Sequence, residues 1–314
     1  MKLLSILLTA CSVLWASPVF AQPASVESVK QRMIRHIEAK AIEFDGVLGV
    51  AIRDLQTGEE ILVNGQSTFP TGSSIKIPIL VELHRQAAAG SLRLTDRLPI
   101  PKKDQVGGSG VLFHFSPESS QLSLGDLSVL MIALSDNTAT NLLIDRLGME
   151  RINQTMTGLG LGAIRLQRKM IDLGAMVRGA ENLATPREAA RLMEMLAHGK
   201  VVSEEVSAAV LRTLRIPKAS SIPRLLPSSV VVANKPGAVE GVACDWALVE
   251  VPNRPFTIAV MTTYNGEKAG ADEAIAEIAR LAYDYFSRLA RSTAHGARVP
   301  LLILLDPKGS GARP

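Results

Sequence analysis

Aromatic side chains are scarce in this sequence: two Trp, three Tyr and seven Phe make up 4% of 314 residues. No basic run is interleaved with them, so the stacking platforms and cationic grooves of nucleic-acid binders are missing, and no nucleic-acid partner is expected. Cysteine is scarcer still, with only Cys11 and Cys244. The five histidines, His36, His84, His114, His198 and His295, show no metal-ligand spacing and no partnering cysteines or carboxylates. No metal and no cofactor are therefore expected. Beyond the N-terminus no apolar run is long enough to span a bilayer, and Leu301 to Leu305 is far too short. No repeat of 20 to 50 residues is present, which excludes solenoids and propellers.

What is present is a globular composition, 47% hydrophobic and 20% charged, with a mild net charge of +4. It suits one large domain or two modest lobes with a substantial core. Lys2, the apolar stretch Leu3 to Trp15 and the small residues Val19 and Ala21 form a signal-peptide pattern. Cleavage after Ala21 is expected, giving an exported chain, periplasmic or extracellular. Leu8-Thr9-Ala10-Cys11 also has the form of a lipoprotein box, but the apolar stretch before Cys11 is short, so lipid anchoring there is the less favoured reading. After cleavage Cys244 has no partner, so no internal disulfide is expected and the core must hold the fold unaided. Cys244 reads as a small buried residue in a strand, since no histidine lies near it in sequence.

Helical spacing of Val26, Val29, Met33 and Ile37 predicts a helix over 26–43. Val47 to Ile52 and Glu59 to Val63, separated by Gln56-Thr57-Gly58, predict a hairpin. Helices follow at Ile75 to Ala89, about Leu124 to Leu147, Thr185 to His198 and Ser203 to Leu214. Three late segments, Val230 to Ala233, Val242 to Val251 and Phe256 to Thr263, have strand character. Ile275, Ile278, Ala282, Tyr285 and Leu289 mark a closing helix, and a loose tail, 292–314, is expected. The expected fold class is α/β of the α+β type: one antiparallel sheet from both ends of the chain, flanked by the terminal helices. An all-helical lobe, about 69–221, packs against an α/β lobe of about 26–68 and 222–290, in a single domain over 22–291. A cleft between them suits a small ligand. No heptad run is visible, so monomer is the default.

Three short motifs carry chemistry. Ser73-Ser74-Ile75-Lys76 places a serine and a lysine on one face of a helix start, where free backbone N–H groups can stabilise an oxyanion. Taken alone it also fits an N-cap serine with a surface lysine. Ser135-Asp136-Asn137 interrupts an apolar helical stretch, and alone fits a cap or kink. Lys235-Pro236-Gly237 follows a strand, and alone fits a turn. Gly158-Leu159-Gly160-Leu161-Gly162 follows a helix rather than a strand, so it reads as a turn and not a dinucleotide loop.

In this order and separation, Ser-x-x-Lys, Ser-Asp-Asn and Lys-x-Gly resemble the class A β-lactamases and related penicillin-binding serine hydrolases, over roughly residues 26–290. Phe69-Pro70, Gly107 to Leu112 and Asn137-Thr138-Ala139 agree with it. The resemblance implies an exported serine hydrolase with Ser73 as acylated nucleophile and Lys76 as its proton acceptor or relay. It implies that Ser135 passes a proton to the departing nitrogen. Asn137 would bind the substrate's amide, Lys235 in Lys235-Pro236-Gly237 its carboxylate, and the N–H groups of Ser73 and Ala238 its oxyanion. The implied partner is a β-lactam or a D-alanyl peptide.

The sequence departs from the family pattern at several places. The deacylating glutamate position falls near Met170, and Arg168 to Asp172 holds no glutamate; Asp172 is either a substitute or a loop cap. Asn182 stands where the family often has an aspartate. Pro236 removes a hydroxyl and a donor, and Ala243-Cys244 lacks the carboxylate-binding arginine of many relatives. These changes leave acylation intact and put deacylation in question. The readings are a divergent β-lactamase, favoured, a D-alanyl-D-alanine peptidase or other peptidoglycan amidohydrolase, and a non-catalytic binder of cell-wall peptide.

Overall fold

The computed structural model describes residues 26–117, 119–267, 270–293 and 295–300. The signal-peptide pattern, the cleavage site at Ala21 and Cys11 lie outside the described residues. The described residues begin with α1 (Val26–Glu43), then the hairpin β1 (Val47–Asp54) and β2 (Glu60–Val63). The short β3 (Phe69–Pro70) leads through a 3-10 turn, Gly72–Ile75, into α2 (Lys76–Ala88). Two short strands, β4 (Arg97–Pro99) and β5 (Gln121–Ser123), precede α3 (Leu124–Ala133), α4 (Asn137–Leu147) and α5 (Met149–Gly158). Next come α6 (Leu173–Val177), β6 (Leu183–Ala184), α7 (Pro186–Ala197) and α8 (Glu204–Leu214). The strands β7 (Val231–Val239), β8 (Val242–Glu250) and β9 (Phe256–Thr263) and the helix α9 (Ala271–Ala290) close the fold.

Five strands form one antiparallel sheet in the order β2-β1-β9-β8-β7. The first strand therefore pairs with the last, which places early and late segments of the described residues in one layer. From Leu48 to Asp54, β1 is buried throughout, so both faces of the sheet are covered and its sequence is nearly continuous in apolar residues. On one face Met33 and Ile37 of α1 and Ile275, Ile278 and Phe286 of α9 pack on Ile258 and Val260. On the other, Ala259, Met261 and Trp246 meet the helices between β3 and β7. At the centre of that helical body lies α2, with Ile77, Ile79, Leu80, Val81 and Leu83 all fully buried. Each such aliphatic side chain contributes about 1.5–3 kcal/mol on burial. Pro78 lies in the first turn of α2, where no intrahelical N–H bond is lost.

Two segments differ from the sequence expectation. Lys235-Pro236-Gly237 lies inside β7, which runs to Val239 rather than ending near Ala233. Pro236 is tolerated because β7 is an edge strand. Of the expected tail, the described residues up to 300 fold back: Ser292 bridges Arg298 and Thr293 N donates to Ala297 O at 2.8 Å.

Candidate active site

Ser73 lies in the 3-10 turn at the entrance to α2, and close packing holds that turn against β7 and β8. A Cβ on Gly237 would come within 2.4 Å of Thr71 O and 2.6 Å of Ser73 N, so only glycine admits this approach. Gly72 has φ 46°, and a Cβ there would meet Ala238 N at 2.8 Å. The backbone N–H groups of Ser73 and Ala238 are thereby brought side by side. Behind the turn, Ser74 Oγ donates to Lys235 O at 2.7 Å and lies 3.2 Å from Cys244 Sγ. Cys244 Sγ donates to Thr71 O at 2.8 Å. Burial pushes the Cys244 thiol up to about 12, so it stays protonated and serves as a donor.

Ser135 joins α3 to α4 in a left-handed backbone conformation, φ 55°, costly for a non-glycine residue. The next residue, Asp136, caps α4 by accepting from Ala139 N at 2.9 Å, and its other oxygen accepts from Val111 N at 2.7 Å and Leu112 N at 2.9 Å. Asn137 Nδ2 donates to Gly107 O at 2.9 Å. Two residues of the motif thus hold the Gly107 to Leu112 loop and leave Ser135 projecting toward α2.

Lys76 is fully buried, and its Nζ donates to Ser135 O at 2.6 Å, Ser135 Oγ at 3.1 Å and Asn137 Oδ1 at 3.0 Å. None of these bonds is to Ser73. Burial, and then the charge of Lys235, hold the Lys76 ammonium well below the usual lysine range. Lys235 Nζ donates to the same Ser135 Oγ at 3.1 Å and to Pro236 O at 2.9 Å. Burial lowers it to about 8, partly countered by the carboxylate of Asp245. That carboxylate is fully buried on the far face of the sheet, held by Asn234 Nδ2 at 2.9 and 3.0 Å and by Ile222 N at 3.1 Å. Desolvation raises it to about 6.

Ser73 stands at the junction of two cavities. One, of about 450 Å³, is lined by Ser135, Lys235, Ser221, Arg224 and Asp272 besides Ser73. The other, of about 360 Å³, is lined by Asn137, Met170, Ile171, Leu173 and Met176. The Met170 position is set by Asn141, whose Nδ2 donates to Met170 O at 3.1 Å and whose Oδ1 accepts from Met170 N at 2.8 Å. Asp172 is a helix cap: it accepts from Ala175 N at 2.9 Å at the start of α6 and is not part of the cavity wall. Asn182 Oδ1 accepts from Gln167 N at 2.7 Å and Arg168 N at 3.0 Å, while the ion pair to Arg168 comes from Glu181 at 3.0 Å.

The fold therefore brings together Ser73, Lys76, Ser135, Asn137, Lys235, Gly237 and Ala238. Sequence reasoning missed Asn141, Ser221, Arg224 and Asp272. Asn141 was within reach, since it lies one turn after Asn137 on the same face of α4. The other three carry no local signal.

A glycine-flanked serine turn, a buried lysine and a serine hydroxyl shared by two lysines lie together at the edge of an antiparallel sheet. The family model described as the Beta-lactamase enzyme family matches residues 31–286, and the chain belongs to that family. It is 28% identical to the imipenem-hydrolyzing β-lactamase of Enterobacter cloacae over 290 residues, 90% of this chain and 96% of that one. It is 26% identical to β-lactamase SME-1 of Serratia marcescens over the same shares. Among solved structures, a β-lactamase from Sphaerobacter thermophilus matches at TM-score 0.74 and 32% identity, covering 81% of this chain and 96% of that one. PBP-A matches at TM-score 0.75 and 27% identity, over 81% of this chain and 96% of that one. The protein is a β-lactamase-like serine hydrolase.

Proposed function

We propose that this protein opens β-lactam amides through an acyl-enzyme on Ser73, and that loss of the acyl group is the slow step. The observation that carries the reading is the single hydroxyl, Ser135 Oγ, held at 3.1 Å by both Lys76 and Lys235. In the neutral form favoured by burial, Lys76 takes the Ser73 proton as Oγ attacks the amide carbon. The oxyanion collects at the N–H groups of Ser73 and Ala238. When the C–N bond breaks, Ser135 gives its proton to the departing nitrogen and regains one from Lys76, which ends neutral. Lys235 attracts the substrate carboxylate, and Asn137 binds the amide on the acyl side.

The second reading, a D-alanyl-D-alanine peptidase or related amidohydrolase that penicillin acylates, is favoured by Met170. A thioether in the cavity beside Ser73 cannot activate a water. A relative of similar fold, a leucine-to-glutamate variant of PBP-A, is described as an acyl-enzyme complex with penicillin G. The N-terminal pattern adds export, with a mature N-terminus at Gln22. The test is intact mass of the mature protein at times after mixing with benzylpenicillin. An adduct on Ser73 that decays as hydrolysed penicillin accumulates supports the β-lactamase. An adduct that persists for hours supports the peptidase. No adduct on a folded protein overturns the serine mechanism and leaves the binder.

A further inference from the structure

The cavity that receives the leaving group carries an acidic residue as well as a basic one. Asp272, in the first turn of α9, shares its wall with Ser73, Ser135 and Lys235. Its Oδ1 accepts from Ser221 Oγ at 2.6 Å, and Ser221 is buried, so the carboxylate is fixed by the wall itself. The segment bearing Ser221 is in turn tied to the sheet through Ile222 N and Asp245. Arg224, on the same wall, is ion-paired with Glu273, so part of its charge is already answered outside the cavity. Pro236 offers no hydroxyl, and the strand opposite Gly237 presents Cys244 rather than a cation. This end of the cavity therefore holds two cations, Lys235 and the Glu273-paired Arg224, and one carboxylate, Asp272. A leaving group that carries only a carboxylate satisfies the cations and leaves Asp272 unanswered. One that also carries a cation satisfies both signs.

Building on the acyl-enzyme reading above, we propose that Asp272 makes the leaving-group end of this site select substrates whose departing group bears a protonated amine beside its carboxylate. Lys235 takes the carboxylate and Asp272 the ammonium. Asp272 acts through charge and position and takes no part in bond making: Ser73 Oγ bonds to the acyl carbon, and the leaving atom departs with a proton.

The experiment uses two phenylacetylglycyl esters with the same acyl group. One leaving group is D-lactate and the other is D-3-amino-2-hydroxypropionate, which adds an ammonium. The ratio of their kcat/KM values is measured for wild type, Asp272→Asn and Glu277→Gln, with active sites counted by benzylpenicillin labelling. The wild type is expected to prefer the amino ester, and Asp272→Asn to lower that ratio about two- to fivefold, the range for a solvent-exposed ion pair. Glu277→Gln, the same charge change on α9 outside the cavity, leaves the ratio in place. An equal ratio in wild type and Asp272→Asn, or an equal fall in Glu277→Gln, overturns the assignment while penicillin labelling still upholds the acyl-enzyme. Absence of labelling by penicillin and by both esters overturns the two together.

Discussion

Lys76 is a buried cation whose hydrogen-bond acceptors are all neutral, Ser135 O, Ser135 Oγ and Asn137 Oδ1. Burial first, and then the charge of Lys235, push its ammonium well below the usual lysine range, with Asp136 partly opposing them. Lys235 has its own counterpart in Asp245 behind the sheet, which restores part of its charge. At neutral pH it remains mostly an ammonium, and it loses its proton as pH rises through about 8. The expected pH profile of acylation by benzylpenicillin, an anion, therefore falls above about pH 8. Asp245→Asn should move that limb to lower pH, since it removes the charge that supports the ammonium; stopped-flow acylation across pH checks both. Met170→Glu places a carboxylate at the cavity beside Ser73, and deacylation should quicken by at least about tenfold, toward the general-base range. The lifetime of the penicillin adduct by intact mass reads this directly.

At the scale of elements, the segment from Arg165 to Asn182 is held by polar pins rather than by regular structure. Asn141 ties Met170 to α4, Asn182 ties Arg168, and Asp172 caps the five-residue α6. Asn141→Ala leaves both backbone groups of buried Met170 unpartnered, so a loss of about 2 kcal/mol is expected in denaturant unfolding. Asp172→Ala loses only the cap, about 1 kcal/mol, and should leave acylation and deacylation rates as they were. That pair of readouts separates a cap from a base. Glu82 is the corresponding pin between α2 and α5, accepting from Arg85 at 2.7 and 2.8 Å, Gln86 at 2.7 Å and Thr155 at 2.6 Å. Although burial opposes it, these donors hold its carboxyl below the usual range. Its contribution to stability is present above the unfolded value near 4.5 and is lost as pH falls through the lower folded value.

Across the whole molecule, two apolar cores flank one sheet, and the site lies on the helical side of its β7 edge. Apolar burial holds the fold and offsets the cost of placing two lysines in the interior. In the folded state Lys235 titrates near 8, against 10.5 when exposed. The unfolded chain thus binds more protons between those values, and stability should rise with pH across that window. Thermal unfolding from pH 7.5 to 10 is expected to show the rise in wild type and a smaller one in Lys235→Met.

The elements were legible in the sequence because their information is local. Apolar period marks α1, α2 and α9, and short runs of apolar and β-branched residues mark β1, β8 and β9. Ser73 and Lys76 were legible for the same reason, since three residues along a helix restore one face. Tertiary structure decided the rest. Lys-Pro-Gly became part of a strand only because β7 lies at an open edge, and Met170 came to face Ser73 only because Asn141 reaches across from α4. The loop's ion pair fell to Glu181 because Asn182 carries no charge, and only the packing of the loop brought Glu181 to Arg168 while Asn182 turned to the backbone. Ser221, Arg224 and Asp272 are far from Ser73 in the chain, and no local spacing relates them to it. They meet because the sheet pairs the first strand with the last and lays the start of α9 beside the 219–225 segment. Local spacing specifies a helix and what its faces carry, but which charges share a cavity depends on how distant segments pack.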